Sequence, residues 1–458
     1  MKHLNIPASR VPVWTQADVV VCGGGVAGIT TAISAARHGA DVLLLEKMPT
    51  VGGMATNGLV NIWHTSDCTR QVIFGLVQEM IERGGEGVHR YEDFPNRPDT
   101  HWFDPEVMRL VFESALREAG VRVVCNVMPV ETVVEAGRVQ AVLVDTKRGR
   151  RAVTGQVFVD ASGDGDIAAN AGVPYHYGRP EDGCVQGATL MFTLEGVDVE
   201  ANCRADPAQI AREVRRMELE AAQGRFPPFN NKVLEINLAG HAGNHYPFNI
   251  APAAGNPVDE EELTHMMMCA RAFLPRYLER WRACIPGYEH ARIEQTAACL
   301  GVRESRRIQG RTTLDCEMVL GAQKQPDAIG HGVWMIDIHD PKGTGYTTWS
   351  EDDHSHHVPA GKSYHVPFGM CLNDRFENLA VAGRCASSTH EGHASVRLQT
   401  HCMMMGQGVG TAAALSLENG GDLNRVEIER LQRTLIADGV LLEDIPVALH
   451  ADEGGSVL

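Results

Sequence analysis

Residues 22–32 read Cys22-Gly23-Gly24-Gly25-Val26-Ala27-Gly28-Ile29-Thr30-Thr31-Ala32, and this stretch decides the fold. It follows a β-branched run at residues 18–22, which predicts a short, buried parallel strand. Gly23 suits the tight turn of a dinucleotide-binding site, Gly25 lets the backbone approach a pyrophosphate, and Gly28 lets the next helix press against the strand. A pyrophosphate would then lie at the helix N-terminus, among free N–H groups.

The residues that follow supply the context that such a glycine turn needs. Ala32 and Ala36 keep one helix face small, and Gly39 ends the helix before a second apolar strand. Glu46 ends that strand, eighteen residues after Gly28 (46 − 28). An acid at this distance accepts hydrogen bonds from an adenosine ribose and repels a 2′-phosphate. The first unit therefore predicts a nucleotide-binding βαβ fold.

Composition narrows the class of protein. The chain has 458 residues, which predicts two domains, one of them split in sequence. A net charge of −17 argues against nucleic-acid or anionic-membrane partners. Twelve scattered cysteines without a C-x-x-C spacing predict reduced thiols rather than an iron–sulfur cluster. Residues 1–7 lack the apolar segment of a signal peptide, so we expect a cytoplasmic protein.

Further elements of the same kind follow along the chain. The sequence predicts a helix from 105, strands at 121–125 and 157–160, a β-meander at 130–134 and 139–144, helices at 207–224 and 259–284, a strand at 379–382, and a glycine- and alanine-rich helix through 406–415. No metal site is predicted, because the histidines of the polar segment 352–357 are typical of a solvated surface.

Five blocks of the chain resemble, in the same order, the FAD-dependent oxidoreductases related to the flavoproteins of fumarate reductase and succinate dehydrogenase. They are the N-terminal turn with residues 46–56, then 160–166, 301–310, 378–384 and 395–410. The resemblance implies an α/β fold like that of glutathione reductase: a three-layer, Rossmann-like FAD-binding domain with a parallel sheet and a β-meander. It also implies an inserted α+β substrate or cap domain. We therefore place the FAD-binding domain at residues 1–186 and 365–458, and the cap at 187–364.

The residues themselves also favour FAD over NAD. A second glycine pair, Gly52-Gly53, follows the ribose-binding strand, and the late turn Gly383-Arg384 offers a third backbone approach to an extended cofactor. The helix after that turn suits the flavin pyrimidine edge, where reduction places negative charge.

The resemblance implies a set of cofactor-binding residues at the matching positions. These are Gly23, Gly25, Val26, Ala27, Gly28, Glu46, Lys47, Gly52, Gly53, Met54, Val130, Ser162, Gly163, Gly383, Arg384 and Gly408. Some relatives attach flavin covalently to a histidine, but Met54 follows the glycine pair here, so we expect non-covalent FAD.

Arg397 is the first catalytic candidate, because arginine can bind a carboxylate bidentately or polarise a developing oxyanion. A structural ion pair with Glu391 is the alternative. His390, His393 and His401 share this neighbourhood, and histidine is the natural proton carrier near neutral pH. We favour His393 among them because it lies four residues before Arg397. Packing is the alternative for all three.

Arg303 is the candidate for a second anion anchor. A helix would place Arg303, Arg306 and Arg307 on one side, whereas a strand would separate them and favour salt bridges, for example with Glu304.

We therefore predict an FAD-dependent dehydrogenase or reductase that transfers hydride between flavin N5 and a small polar substrate, which includes anionic molecules. A redox-neutral flavoenzyme (isomerase, lyase or hydratase) is one alternative, and an RNA-modifying or electron-relay flavoprotein is another. The sequence does not identify the electron acceptor or donor, and it leaves a homo-oligomer open.

Overall fold

The computed structural model describes residues 10–91, 99–229, 246–342 and 354–443. Two sequence features fall outside these described residues: the N-terminal residues 1–7, and residues 352 and 353 of the polar histidine segment.

The strands are β1 Val13–Cys22, β2 Val42–Glu46, β3 Ile62–His64, β4 Val88–Tyr91, β5 Thr100–Phe103, β6 Arg122–Cys125, β7 Met128–Glu135, β8 Arg138–Thr146, β9 Gly149–Asp160, β10 Tyr175–Tyr177, β11 Ala188–Glu195, β12 Tyr246–Ala253, β13 Arg292–Thr296, β14 Arg306–Ile308, β15 Ala328–Gly332, β16 Tyr364–Pro367 and β17 Leu379–Val381. The helices are α1 Val26–Arg37, α2 Leu76–Gly84, α3 Pro105–Glu118, α4 Asp166–Asn170, α5 Val199–Arg204, α6 Pro207–Ala222, α7 Glu260–Cys284, α8 Cys316–Leu320, α9 His390–Val396, α10 Gln399–Ser416 and α11 Ile428–Ala437.

A parallel sheet with the strand order β6-β2-β1-β9-β17 forms the centre of the first domain. Strand β9 belongs both to the β-meander and to the parallel sheet. Its first half pairs antiparallel with β8, and its second half lies between β1 and β17. The β-meander β7-β8 therefore continues directly into the parallel sheet. This arrangement confirms the predicted α/β fold class, and the carboxyl ends of β1 and β9 lie side by side where such sheets bind ligands.

Both ends of the chain build this domain. Helix α10 packs on α1 through glycine: a Cβ on Gly406 would lie 2.2 Å from the carbonyl oxygen of Ala27, and a Cβ on Gly410 would lie 2.3 Å from that of Thr31. The Thr30 hydroxyl adds a hydrogen bond of 2.7 Å to the carbonyl oxygen of Met403. The glycine-rich C-terminal helix thus holds the N-terminal nucleotide-binding unit in place.

A second buried core draws on Leu59 and residues 188–300, which we call the cap domain. Its sheet has the order β12-β11-β13, and helix α7 supplies stacked aromatic rings such as Trp281 against Phe192 and Phe248. Residues 308–372 contribute to the first core instead. The cap core therefore ends earlier than the boundary at residue 364 that we predicted, since the segment after β14 packs on the FAD-binding side.

Among the described residues, no helix is both long and apolar enough to cross a membrane.

Candidate active site

The three glycines of the first turn differ in what surrounds them. A Cβ on Gly23, whose φ is +110°, would lie 2.3 Å from the carbonyl oxygen of Ala161. A Cβ on Gly28 would lie 1.8 Å from the carbonyl oxygen of Gly23. A Cβ on Gly25 would meet no heavy atom of the described residues within 4 Å. Gly23 and Gly28 are therefore required by packing, while Gly25 presents its backbone to open space, as a pyrophosphate site needs.

Helix α1 begins at this open position without a side-chain cap. Its N-cap residue is Gly25, and no acidic residue lies in its first turn, which starts with Val26 and Ala27. Helices α3 and α7 differ, because the carboxylates of Asp104 and Asp259 accept hydrogen bonds from their first backbone N–H groups. The N-terminus of α1 thus retains donors and positive potential for the phosphates of FAD.

Glu46 and the second glycine pair enclose the same turn. The Glu46 carboxylate accepts hydrogen bonds from the backbone N–H groups of Gly24 at 2.6 Å and Met48 at 2.7 Å. The Gly52 N–H donates to the carbonyl oxygen of Gly24 at 2.7 Å, and a Cβ on Gly53 would lie 2.8 Å from the Cα of Gly25. Only glycine permits this close approach of the two loops.

Two residues beside this loop differ in exposure. Lys47 is exposed, and Met54 is half-buried. Their cofactor contacts stay predictions.

The turn after β9 is shaped by a buried carboxylate. Asp160 accepts hydrogen bonds from the Ser162 N–H at 3.0 Å, the Ser162 hydroxyl at 2.6 Å and the Ala168 N–H at 2.9 Å. Burial raises the pKa of Asp160 to about 6, although these hydrogen bonds act in the opposite direction. Gly163 follows with a φ of +82°, a backbone conformation that favours glycine.

The late turn at Gly383-Arg384 meets both the first helix and the β9 turn. Gly383 has a φ of +95°, and a Cβ there would lie 2.9 Å from the Cβ of Ala27. The Arg384 guanidinium donates to Asp164 at 2.7 Å and to the Ser305 hydroxyl at 2.8 Å. Three chain segments therefore meet at this point, an arrangement that suits an extended dinucleotide such as FAD.

Two predicted cofactor residues have contacts that our assignment did not foresee. A Cβ on Gly408, inside α10, would lie 2.8 Å from the Cβ of Ile329, so glycine is required there for helix packing on β15. Val130 lies in β7 beside a small cluster formed by Ala141, Leu143 and Ala152. Cofactor roles for Gly408 and Val130 stay predictions.

Arg397 is partnered by Asp337 rather than by Glu391, the acid that we named from the sequence. Its Nη2 atom donates to the Asp337 carbonyl oxygen at 3.1 Å and lies 3.4 Å from the Asp337 carboxylate. The same carboxylate lies 3.5 Å from Nε2 of His339. Arg397 therefore belongs to a group of charged and polar side chains that is mostly, but not fully, buried.

Arg303 joins this group from the side of the cap domain. Its guanidinium donates to the carbonyl oxygen of Gly187 at 2.8 Å, the Thr189 hydroxyl at 2.7 Å and the Asn249 side-chain oxygen at 3.2 Å. Burial, followed by the positive charge of Arg303, lowers the pKa of His339 to about 3. We call Arg303, Asp337, His339 and Arg397 the arginine–histidine cluster.

Arg303, Arg306 and Arg307 do not share a helix face. Arg306 and Arg307 lie in strand β14, where Arg306 pairs with Asp166 at 2.8 Å and Arg307 pairs with the buried Glu304. The structure therefore has the strand that we gave as the alternative to a helix, and the three arginines are separated.

His393 is fully buried and bonds back to the cap junction. Its Nε2 atom lies 3.1 Å from the carbonyl oxygen of Arg303. Burial, followed by the charges of Arg307 and Arg397, holds the pKa of His393 well below its ordinary value. The imidazole is therefore neutral near pH 7 and donates from Nε2, which weakens its case as a proton carrier.

The other two candidate histidines have different partners. Nδ1 of His390 lies 2.9 Å from the Glu304 carboxylate, which also pairs with Arg307. Nε2 of His401 accepts a hydrogen bond of 3.0 Å from the Val333 N–H, so its proton resides on Nδ1.

The N-terminus of α10 lies next to the arginine–histidine cluster. Its N-cap residue is Leu398, which makes no side-chain cap and directly follows Arg397. Gln399 accepts a hydrogen bond of 3.1 Å from the Trp63 indole, and the Thr400 hydroxyl donates to the carbonyl oxygen of His64 at 2.8 Å. An uncapped helix end of this kind suits the negative charge of a reduced flavin.

Asp337 and His339 are the site residues that sequence reasoning missed. They lie in a buried segment outside the strands and helices, residues 333–339, which carries no recognisable motif. The only available signal was an acid and a histidine two residues apart within an otherwise apolar run.

Comparisons with known proteins agree with this architecture. The family model described as FAD dependent oxidoreductase matches residues 18–435. The chain is 36% identical to the fumarate reductase (cytochrome) of Shewanella frigidimarina over 77 residues, which are 16% of this chain and 14% of that protein. It is 35% identical to an iron-sulfur subunit of the CoB–CoM heterodisulfide reductase of Methanopyrus kandleri over 80 residues, 18% of this chain and 11% of that protein.

The chain thus spans less than a sixth of the length of these relatives. Among solved structures, it is similar to a geranylgeranyl bacteriochlorophyll reductase-like protein from Thermoplasma acidophilum, with a TM-score of 0.45 and 12% identity, over 93% of this chain and 87% of that chain.

Proposed function

The chain belongs to the family of FAD-dependent oxidoreductases, and we propose that it is a dehydrogenase or reductase acting on a small polar substrate, which includes anionic molecules. The observation that carries this proposal is the arginine–histidine cluster, which joins the cap domain to Arg397, two residues before α10. Bound FAD supplies hydride acceptance or donation at N5. The chain supplies the binding and orientation of the substrate.

Arg397 and Arg303 are the residues that we expect to orient the substrate. Each guanidinium is held by hydrogen bonds, Arg397 by Asp337 and Arg303 by Thr189 and Asn249. A guanidinium fixed in this way loses little further entropy when it binds a carboxylate or a developing oxyanion. Burial of the cluster strengthens these interactions because little water competes for the donors.

The test is anaerobic mixing of the yellow holoprotein with glycolate, lactate, succinate, glycerol, glucose and benzylamine, one at a time. We expect at least one of these six compounds to bleach the flavin absorbance. A protein that binds no FAD would overturn the proposal, and a flavin that none of the six reduces would overturn its dehydrogenase form. Product formed without an electron acceptor and without lasting bleaching would instead support a redox-neutral flavoenzyme.

The flavin linkage needs a separate measurement. We propose that FAD is held without a covalent bond, because Met54 follows the Gly52-Gly53 pair. The expectation of no nucleic-acid partner likewise stays a proposal, supported by the net charge of −17. The cytoplasmic location stays an expectation.

A further inference from the structure

Gln186 has a buried side-chain amide in which, within the described part of the chain, the oxygen is hydrogen-bonded and the nitrogen is not. The residue is 2% exposed, and it lies just before β11, at the junction of the cap and the FAD-binding domain. Its side-chain oxygen accepts a hydrogen bond of 3.4 Å from the His339 N–H. Its side-chain nitrogen has no hydrogen-bond partner among the described residues. A buried donor without an acceptor is costly, and such groups in folded proteins call for a specific reason.

The position of this amide is fixed by the same residues that build the arginine–histidine cluster. The Gln186 backbone N–H donates to Glu304 at 2.9 Å, and the next carbonyl, that of Gly187, accepts from Arg303 at 2.8 Å. On the other side, the His339 ring lies 3.5 Å from Asp337, the partner of Arg397. Gln186 therefore lies in the path of contacts that links the two arginines.

A second orphaned atom lies in the same network. Nδ1 of His393 has no hydrogen-bond partner among the described residues, while its Nε2 bonds to the carbonyl oxygen of Arg303. The residues that carry these two atoms both contact the segment 303–304, Gln186 through its backbone N–H and His393 through Nε2. A hydroxyl group can both accept a hydrogen bond from such an unused donor and donate one to such an unused acceptor.

We propose that Gln186 is a substrate-binding residue, whose side-chain N–H donates to an oxygen atom of a hydroxyl-bearing substrate in this site. The proposal rests on the proposed function and deepens it, because it selects hydroxyl compounds over amines and simple carboxylates. A group that awaits a ligand is costly in the free protein, so its removal affects binding more than folding.

The experiment compares Gln186→Met with Gln432→Met in the FAD-loaded protein. Gln432 is the matched control, because it is equally buried but the roles of its amide atoms are reversed. Its side-chain nitrogen donates to the carbonyl oxygens of Pro326 at 2.8 Å and Ala328 at 3.2 Å, while its side-chain oxygen has no hydrogen-bond partner among the described residues. We expect Gln432→Met to lower Tm by at least about 2 °C, since it removes two hydrogen bonds, one of them to the buried carbonyl of Ala328. We expect Gln186→Met to leave Tm within about 1 °C of the parent protein or to raise it, because the hydrogen bond it loses is long.

The second readout is flavin reduction by whichever of glycolate, lactate, glycerol or glucose reduces the parent enzyme fastest. Gln186→Met should raise the concentration for half-maximal reduction rate by about 3- to 10-fold and leave the limiting rate within about 3-fold, the pattern of one lost neutral hydrogen bond. Gln432→Met should leave both values unchanged.

Three results would overturn the inference. They are a fall in Tm for Gln186→Met as large as that for Gln432→Met, an unchanged half-maximal concentration, or reduction of the flavin by benzylamine or succinate but by none of the hydroxyl compounds. If none of the six compounds reduces the flavin, the dehydrogenase form of the proposed function fails, and the thermal comparison still decides whether the Gln186 amide is a structural group.

Discussion

Replacing Gly25 with alanine should weaken FAD binding while leaving the apoprotein folded. The backbone at Gly25 has φ −72° and ψ 179°, which alanine adopts without strain, and a Cβ there meets no heavy atom of the described residues within 4 Å. Alanine stabilises the apoprotein by lowering the conformational entropy of the unfolded chain, and it destabilises the apoprotein slightly because it is a poorer N-cap than glycine. These effects oppose each other, so the free energy of unfolding of the apoprotein should change by less than about 1 kcal/mol. If the pyrophosphate of FAD lies against Gly25, as we propose, the same methyl group would take up part of its space. A steric cost of about 1–3 kcal/mol raises the Kd for FAD by about 5- to 150-fold.

Gly28→Ala is the matched control within the same turn. Its Cβ would lie 1.8 Å from the carbonyl oxygen of Gly23, a backbone atom that cannot move aside freely. This variant should therefore lose about 1–3 kcal/mol or more of apoprotein stability. Urea unfolding followed by tryptophan fluorescence measures the stability of both apoproteins, and titration with FAD followed by quenching of flavin fluorescence measures affinity. The reasoning is refuted if Gly25→Ala binds FAD as tightly as the parent protein, or if its apoprotein is destabilised as much as that of Gly28→Ala.

Three further predictions concern the site, the sheet and the cofactor. Arg397→Lys should slow flavin reduction by about 10-fold or more at unchanged FAD content, because lysine cannot reproduce the planar donors held by Asp337; unchanged stopped-flow kinetics would remove Arg397 from the mechanism. The raised pKa of Asp160, about 6 against an ordinary 3.8, means that its contribution to stability is fully present below about pH 4 and is lost as pH rises through 6. Relative to Asp160→Asn, the parent protein should therefore lose about 2 kcal/mol between pH 4 and 7.5 in urea unfolding, and a constant difference would contradict the raised pKa. Precipitation with trichloroacetic acid should release the flavin into the supernatant, whereas a yellow pellet would indicate a covalent bond.

Local sequence patterns predicted the first domain well because its elements are determined by short-range periodicity. The strand that we predicted at 18–22 ends as expected, but β1 begins at Val13, since residues 13–17 are ordered by pairing with β9 rather than by their own hydrophobicity. Helix α7 spans Glu260–Cys284 as the pattern indicated, although it contains Pro275. The end of the cap core was not predictable from the sequence. The residues after β14 include many apolar ones that would suit either core, and only tertiary packing assigns them to the first core.

The sequence predicted the arginines of the candidate site but not their partners. Arg303 and Arg397 lie in the stretches 301–310 and 395–410, which resemble the family, whereas Asp337 and Gln186 lie in segments without regular periodicity. Proximity in sequence suggested Glu391 as the acid for Arg397, but α9 ends at Val396 and Arg397 lies at its C-cap. The guanidinium bonds to a segment sixty residues earlier in the chain (397 − 337). Pairings over such distances depend on the complete fold.

The arginines of this site also determine how its histidines behave. Burial and the charges of Arg303, Arg307 and Arg397 lower the pKa values of His339 and His393, so both imidazoles are neutral near pH 7. A base whose pKa lies well below the working pH accepts a proton poorly. An anion bound by the same arginines would offset part of their charge and raise both pKa values. Anion binding and proton uptake are then linked, and the linkage is reciprocal, since protonated histidines would in turn strengthen the binding of the anion. The spacing of His393 and Arg397 suggested a base beside an anchor, whereas the buried geometry makes the basicity of the histidines depend on what the arginines hold.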